Sequence, residues 1–167
     1  DGVRFMMDLQ FRVIQREDLT LSFNEPLDAA IYYDLRHLEG VNHVETFLSA
    51  PARVFAGHRK EEVGIQSITP GGRLRRIIAA NGNEHPLPSE GLVLNQQLAN
   101  KLRVSTGDRV RVEILDGQRR RGEVVVAGVV SDFLGLSAYM NPDALQRLVG
   151  GPTMVSGAYL SVDPESR

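Results

Sequence analysis

The sequence predicts an α+β fold in two parts, a split β-α-β-β…β unit whose last strand returns after a mostly-β insertion. Three observations carry this. Apolar residues alternate at period two near both ends of the chain, with one helical stretch among the early ones. Pro70-Gly71-Gly72 and Gly150-Gly151-Pro152 punctuate the chain and enclose a second set of strand-like stretches. Residues 71–151 carry 11 Lys and Arg against 8 Asp and Glu, whereas the remainder carries 8 against 13, so the two parts differ in sign.

The elements follow in order. Leu9, Phe11 and Val13 alternate with polar residues, and Leu19, Leu21 and Phe23 do so again, which predicts an extended leading segment and a first strand. Asn24 then reads as a helix N-cap with Pro26 in the first turn, where its missing N–H is harmless. Leu27, Ala30, Ile31, Leu35 and Leu38 share a helical face, and Gly40 stops that helix. Val41 to Phe55 is strand-like, with a bulge or edge at Pro51, and Glu61 to Thr69 returns after a turn. This is half of a split ferredoxin-like arrangement.

Past Gly72, Leu74, Ile77 and Ile78 suggest a short helix or turn, and Asn81 to Glu90 a loop. Leu92 to Leu94 is a short strand. Asn95 caps a helix whose face is Leu98, Ala99 and Leu102. The Gly107-Asp108 turn leads into Val110, Val112 and Ile114, alternating with Arg109, Arg111 and Glu113. Asp116-Gly117 marks a hairpin, and Glu123 to Val130 is apolar on both faces, hence central. Ser131 to Met140 is irregular. Asn141-Pro142-Asp143 starts a helix with Ala144, Leu145, Leu148 and Val149 on one face. Met154 to Val162 is a last strand, predicted to pair with strands that precede Pro70. The predicted division is 1–70 plus 152–167 for the split unit and 71–151 for the insertion.

A chain of 167 residues, 42% of them hydrophobic, can bury one good core or two small ones. A net charge of −2 supplies no global field for nucleic acid, and the absence of cysteine excludes disulfides and thiolate chemistry. No apolar run approaches the roughly 20 residues of a membrane helix. The chain starts mid-pattern at Asp1-Gly2-Val3 without an initiator methionine, so it reads as a segment of a longer protein.

Chemistry-bearing motifs are scarce. His37, His43, His58 and His85 lack the close ligand spacing of metal sites. Neither Gly71-Gly72 nor Gly150-Gly151 has the lysine and strand–loop–helix context of a phosphate loop. Ser22 and Ser131-Asp132 have no base at a readable distance, and no nucleophile elbow is present. No catalytic, metal or cofactor-binding residue is therefore predicted. Two stretches stand out as partner or substrate contacts. Arg119, Arg120 and Arg121, with Arg109 and Arg111, form a basic hairpin end, suited to an anionic partner or simply to a solvated strand edge, and Arg73-Leu74-Arg75-Arg76 carries the same two readings. Phe133, Leu134, Leu136 and Tyr139 line an apolar stretch that either closes the core or forms a groove.

Several pieces, in order, resemble one family. They are Asp18-Leu19-Thr20-Leu21-Ser22-Phe23, His37-Leu38-Glu39-Gly40-Val41 followed by Val44-Glu45, Leu87-Pro88 with Gly91-Leu92-Val93-Leu94, Leu98-Ala99 with Leu102, Gly107-Asp108 with Val110, Val129-Val130, and Ala138-Tyr139-Met140. Together they resemble the extracytoplasmic domain of FtsX-like, or MacB-like, ABC transporter permeases. The resemblance implies a porter-like α+β subdomain split by a mostly-β one, with residues 1–10 leading from a membrane helix. It implies a non-catalytic domain of a cell (inner) membrane protein. That domain would couple ATP-driven helix motion to an extracytoplasmic partner protein or lipophilic substrate, without cofactors or nucleic acid. Its partners would be a cytoplasmic ABC ATPase subunit and a second permease copy. An alternative resemblance rests on Gly107-Asp108 and Val110: a Gly-Asp-turn β-barrel serving as the substrate-recognition or cofactor domain of a cytosolic ATPase or enzyme.

Overall fold

The structure, a computed structural model, describes residues 10–79, 87–131 and 135–164, with the side chains of 10–14, 78 and 79 left aside. In chain order these residues form β1 (Gln10–Gln15), β2 (Leu19–Asp28), α1 (Ile31–Arg36), β3 (Val41–Phe47), β4 (Ser49–Ala56), β5 (Arg59–Ser67) and β6 (Arg75–Ala79). Then come β7 (Leu92–Asn95), α2 (Gln96–Leu102), β8 (Arg109–Ile114), β9 (Arg121–Val130), β10 (Ala138–Met140), α3 (Pro142–Val149) and β11 (Met154–Val162).

The strands divide between two sheets. The smaller has the order β2-β11-β3, with β11 antiparallel to both neighbours. The last strand of the chain thus fills the gap between two strands joined by α1, and it pairs with strands that precede Pro70, as the sequence predicts. One face of this sheet packs against α1 through Leu35, Val44, Ala158, Leu160 and Val162.

The larger sheet closes on itself. β9 pairs with β8 through Arg121–Val125 and with β7 through Val126–Val130. The circuit continues from β8 to β4, β5 and β10, and β10 returns to β7. Six strands therefore form a barrel, and β1 and β6 extend it outward from the end of β9. Period-two alternation fills its interior. Ala52, Val54, Ile65, Leu92, Leu94, Val112, Ile114 and Val126 are almost wholly buried, and Leu98 and Leu102 of α2 and Leu145 of α3 pack on the same core. Outside the wall, Val93, Val130 and Tyr139 pack against Ile77 of β6 and Ile68.

The Gly107-Asp108 turn is part of the closure. Gly107 N–H donates to the Val126 carbonyl at 2.8 Å, and Val126 N–H donates to Asp108 at 2.7 Å, where β9 changes partner from β8 to β7. Asp108 also accepts from Ser105 N–H at 2.8 Å, which holds the turn.

Several local expectations are corrected. Strands β4 and β5, grouped by the sequence with the split unit, hydrogen-bond into the barrel, so the sheets change at Leu48 rather than at Pro70. A continuous strand from Val41 to Phe55 is in fact two, because Leu48 turns inward between them. Asn24 and Pro26 lie in β2 and not at a helix start. They sit where the β2–β11 register shifts, so the N–H that proline lacks has no ladder position to fill. The start of α1 is held instead by Asp28, whose carboxylate accepts from Ala30 N–H at 2.8 Å. Residues 75–79 form β6 rather than a helix or turn, and Ala138–Met140 form β10 within the stretch read as irregular.

A prediction follows from the barrel core. Leu94→Ala is expected to lower the unfolding free energy by about 2–5 kcal/mol, because a fully buried leucine leaves a cavity. Val125→Ala, on an outward position 40% exposed, is expected to stay within about 0.5 kcal/mol. Urea midpoints of the two variants check this directly.

Candidate functional site

The chain passes between the small sheet and the barrel at Leu48, and the residues beside that crossing form the candidate site. In β3, alternation places Val44 under α1 and turns His43, Glu45 and Phe47 to the opposite face. That face meets the segment running from Thr69 into β6. Glu45 Oε2 accepts from Arg73 N–H at 2.6 Å and Leu74 N–H at 3.1 Å, and Oε1 accepts from Arg75 N–H at 3.3 Å. His43 Nε2 lies 2.8 Å from the same carboxylate. A single side chain of the small sheet thus satisfies three consecutive backbone donors of the segment that feeds the larger sheet. Gly72 is fitted to it, since a Cβ there would come within 2.8 Å of Glu45 Oε1.

Burial pushes the Glu45 carboxyl up, but the N–H groups of Leu74 and Arg73, the His43 ring and Arg75 N–H outweigh that and hold it below its ordinary value of 4.5. Aromatic packing lies beside the carboxylate. Phe47 stacks on Tyr159 of β11 with centroids 4.7 Å apart, and Leu74 completes the cluster. The Arg75 guanidinium sits 4.2 Å from the Tyr159 ring centroid and pairs with Glu17. Burial pushes the Tyr159 phenol up to about 12, against the pull of the Arg75 charge. The junction is therefore a buried, hydrogen-bonded clasp with an aromatic centre.

On another side of the crossing, an apolar groove of about 350 Å³ separates the far end of the small sheet from the barrel. Pro26, Leu48, Pro51, Val149 and Met154 line it. Its rim includes Gln146, whose amide donates to the carbonyls of Gly150 and Pro152 beyond α3.

The residues singled out by sequence are dispersed. Phe133 and Leu134 lie outside the described residues. Leu136 is half-buried against the barrel core, and Tyr139 is buried beside Val93 and Val130. The arginine run divides by alternation. Arg119 and Arg121 face Glu113 on the barrel wall, whereas Arg120 donates to the Arg147 carbonyl at the end of α3, 3.3 Å away. Glu17, Phe47 and Tyr159 were not singled out by sequence; Glu45 entered only through the family resemblance, and Arg75 only within the basic stretch Arg73-Leu74-Arg75-Arg76. The signal available for them was the acid at Glu45 on the same strand face as Phe47, an unusual neighbour for an aromatic on a two-faced strand.

No protein-family model matches the sequence, and no curated protein does. Solved structures do. The extracellular domain of the noncanonic ABC-type transporter YknZ from Gram-positive bacteria matches with a TM-score of 0.53 at 11% identity, over 95% of this chain and 84% of that one. The periplasmic region of MacB from Actinobacillus actinomycetemcomitans matches with a TM-score of 0.51 at 12% identity, over 93% and 76%. The chain has the fold of these two domains. The match takes in the small sheet, the junction and the barrel together, as the family resemblance of the sequence implies.

Glu45→Gln is expected to lower stability at neutral pH by about 1–3 kcal/mol, since the clasp loses its charge while keeping its shape. The wild-type carboxylate has a folded pKa below its unfolded value. Its contribution is fully present above pH 4.5 and is lost as pH falls through the lowered folded value. The gap between wild type and variant should therefore narrow below that pH. Urea unfolding of both proteins across an acid pH series reads this out.

Proposed function

We propose that this chain is the extracytoplasmic domain of an ABC transporter permease, one that passes ATP-driven motion of membrane helices to a partner protein or lipophilic substrate outside the membrane. The observation that carries the proposal is the fold likeness to the YknZ and MacB domains over 93–95% of the chain. In this reading the small sheet is the porter-like, split ferredoxin-like base, and the barrel is the outer subdomain that it carries. The domain itself is non-catalytic. ATP hydrolysis belongs to a cytoplasmic ABC ATPase subunit or domain, and the permease of the cell membrane works beside a second copy. The clasp at Glu45 supports this role, because motion imposed on the base reaches the barrel only if the two are fastened. The closed barrel is also what the alternative Gly-Asp-turn reading calls for. Its integration with the small sheet in a single two-part fold favours the permease.

The test is purification of the full-length protein from membranes. An ATP-binding-cassette subunit or domain is expected to accompany it, and the isolated 167-residue chain is expected not to hydrolyse ATP. ATP hydrolysis by the isolated chain, or a full-length protein with no associated ATPase, would overturn the proposal.

A further inference from the structure

The outer wall of the barrel carries a ladder of charges. Strand register aligns Glu62 of β5, Arg53 of β4, Glu113 of β8 and Arg121 of β9 in one row across four strands. The row is balanced, two acids and two bases, and its members are paired. Arg53 Nη2 lies 2.6 Å from Glu62 and Nη1 lies 3.4 Å from Glu113, while Arg121 Nε lies 2.9 Å from Glu113. Opposite charges on facing strands account for this row as ordinary sheet stabilisation.

Two further arginines at the same place are not accounted for by it. Arg111, one pleat along β8, has no carboxylate partner among the described residues. Its guanidinium sits 4.7 Å from the Phe55 ring centroid. Its cross-strand neighbour Glu123 pairs with Arg109 instead, at 2.9 Å. Lys60 of β5, the cross-strand partner of Phe55, adds another positive charge near this row. Arg119 reaches in from the hairpin tip, with its Nη2 3.8 Å from Glu113, beyond hydrogen-bond distance. It does so from a left-handed backbone (φ 52°), a conformation that side-chain-bearing residues adopt at a conformational cost. Arg53, Phe55, Arg111, Glu113, Arg119 and Arg121 together line one open recess of about 370 Å³.

We propose that this recess binds a phosphoryl group. Four guanidinium groups line the recess with one carboxylate, Glu113, which three of them, Arg53, Arg119 and Arg121, approach within 3.8 Å; it screens their mutual repulsion and leaves donors over. The surplus donors come from two directions, β8 and the hairpin tip. That arrangement suits a tetrahedral oxyanion with three free oxygens better than a planar carboxylate, which one fork satisfies. The stack on Phe55 orients the Arg111 plane and leaves its edge N–H groups open to an acceptor. A headgroup phosphate of a lipid and a soluble phosphate would present the same chemistry.

The test is titration of the chain with pyrophosphate by calorimetry, repeated on Arg111→Gln, Arg119→Gln and Arg120→Gln. Saturable binding is expected. Each of the first two variants should weaken it about tenfold, the scale of one charged hydrogen bond. Arg120→Gln removes the same charge from the same hairpin but on the α3 side, and should leave binding within about twofold. Denaturation midpoints confirm that the variants are folded. Sedimentation with phosphatidylglycerol and phosphatidylcholine vesicles separates the two sources. Arg111-dependent binding to the former alone assigns the site to a lipid headgroup, and pyrophosphate binding without vesicle binding assigns it to a soluble phosphate. Absence of saturable pyrophosphate binding, or equal losses in Arg111→Gln and Arg120→Gln, would overturn the proposal.

Discussion

A buried carboxylate fastens the two halves of this molecule. Glu45 belongs to the small sheet, yet its acceptors are spent on the backbone of Arg73, Leu74 and Arg75, which leads into the larger one. Of the three consecutive N–H groups at the start of β6, that of buried Leu74 would otherwise lack a partner, a loss of about 1–3 kcal/mol, and the part-buried two beside it would lose theirs as well. The clasp thereby sets where β6 begins, and β6 in turn holds β1, the strand that precedes β2. Phe47 and Tyr159 add an apolar centre, so the small sheet meets the segment leading to the larger one through packing as well as hydrogen bonds.

The barrel depends on a different constraint, the change of partner along β9. One strand serves β8 with its first half and β7 with its second, and the Gly107-Asp108 turn occupies the switch. Closure removes the exposed edges that an open sheet would present and directs alternate side chains into a single core. It also directs the other residues outward, which is how Arg53, Arg111 and Arg121, distant in sequence, come to share one recess. The division of the Arg119–Arg121 run follows from the same alternation: odd positions join the wall and Arg120 meets α3.

Most elements were legible as periodicity. The Asn95 cap, the β8–β9 hairpin, the Asn141 helix start and the β11 strand all follow from local patterns, because each is fixed by residues adjacent in sequence. The allocation of strands to sheets was not legible. Nothing local distinguishes β4 from β3, since both alternate, and the switch at Leu48 depends on which distant strands are available. Pro26 misled for a similar reason: a proline one residue after an Asn-Glu pair fits a helix start, and only the register shift opposite β11 makes it fit a strand. The clasp was hidden because Glu45 reads as a solvent-facing acid until the segment from Thr69 to Arg75 folds over it.

The central claim is that base and barrel behave as one body because of the Glu45 clasp. The chain has no cysteine, so two can be introduced for spin labels, at Tyr33 on α1 and Val125 on the barrel wall, both exposed. Pulsed dipolar spectroscopy then measures the distance distribution between the halves. The account predicts one narrow distribution at neutral pH that broadens in Glu45→Gln while the fold is retained. A broad distribution in the wild-type background, or one that Glu45→Gln leaves unchanged, would contradict it.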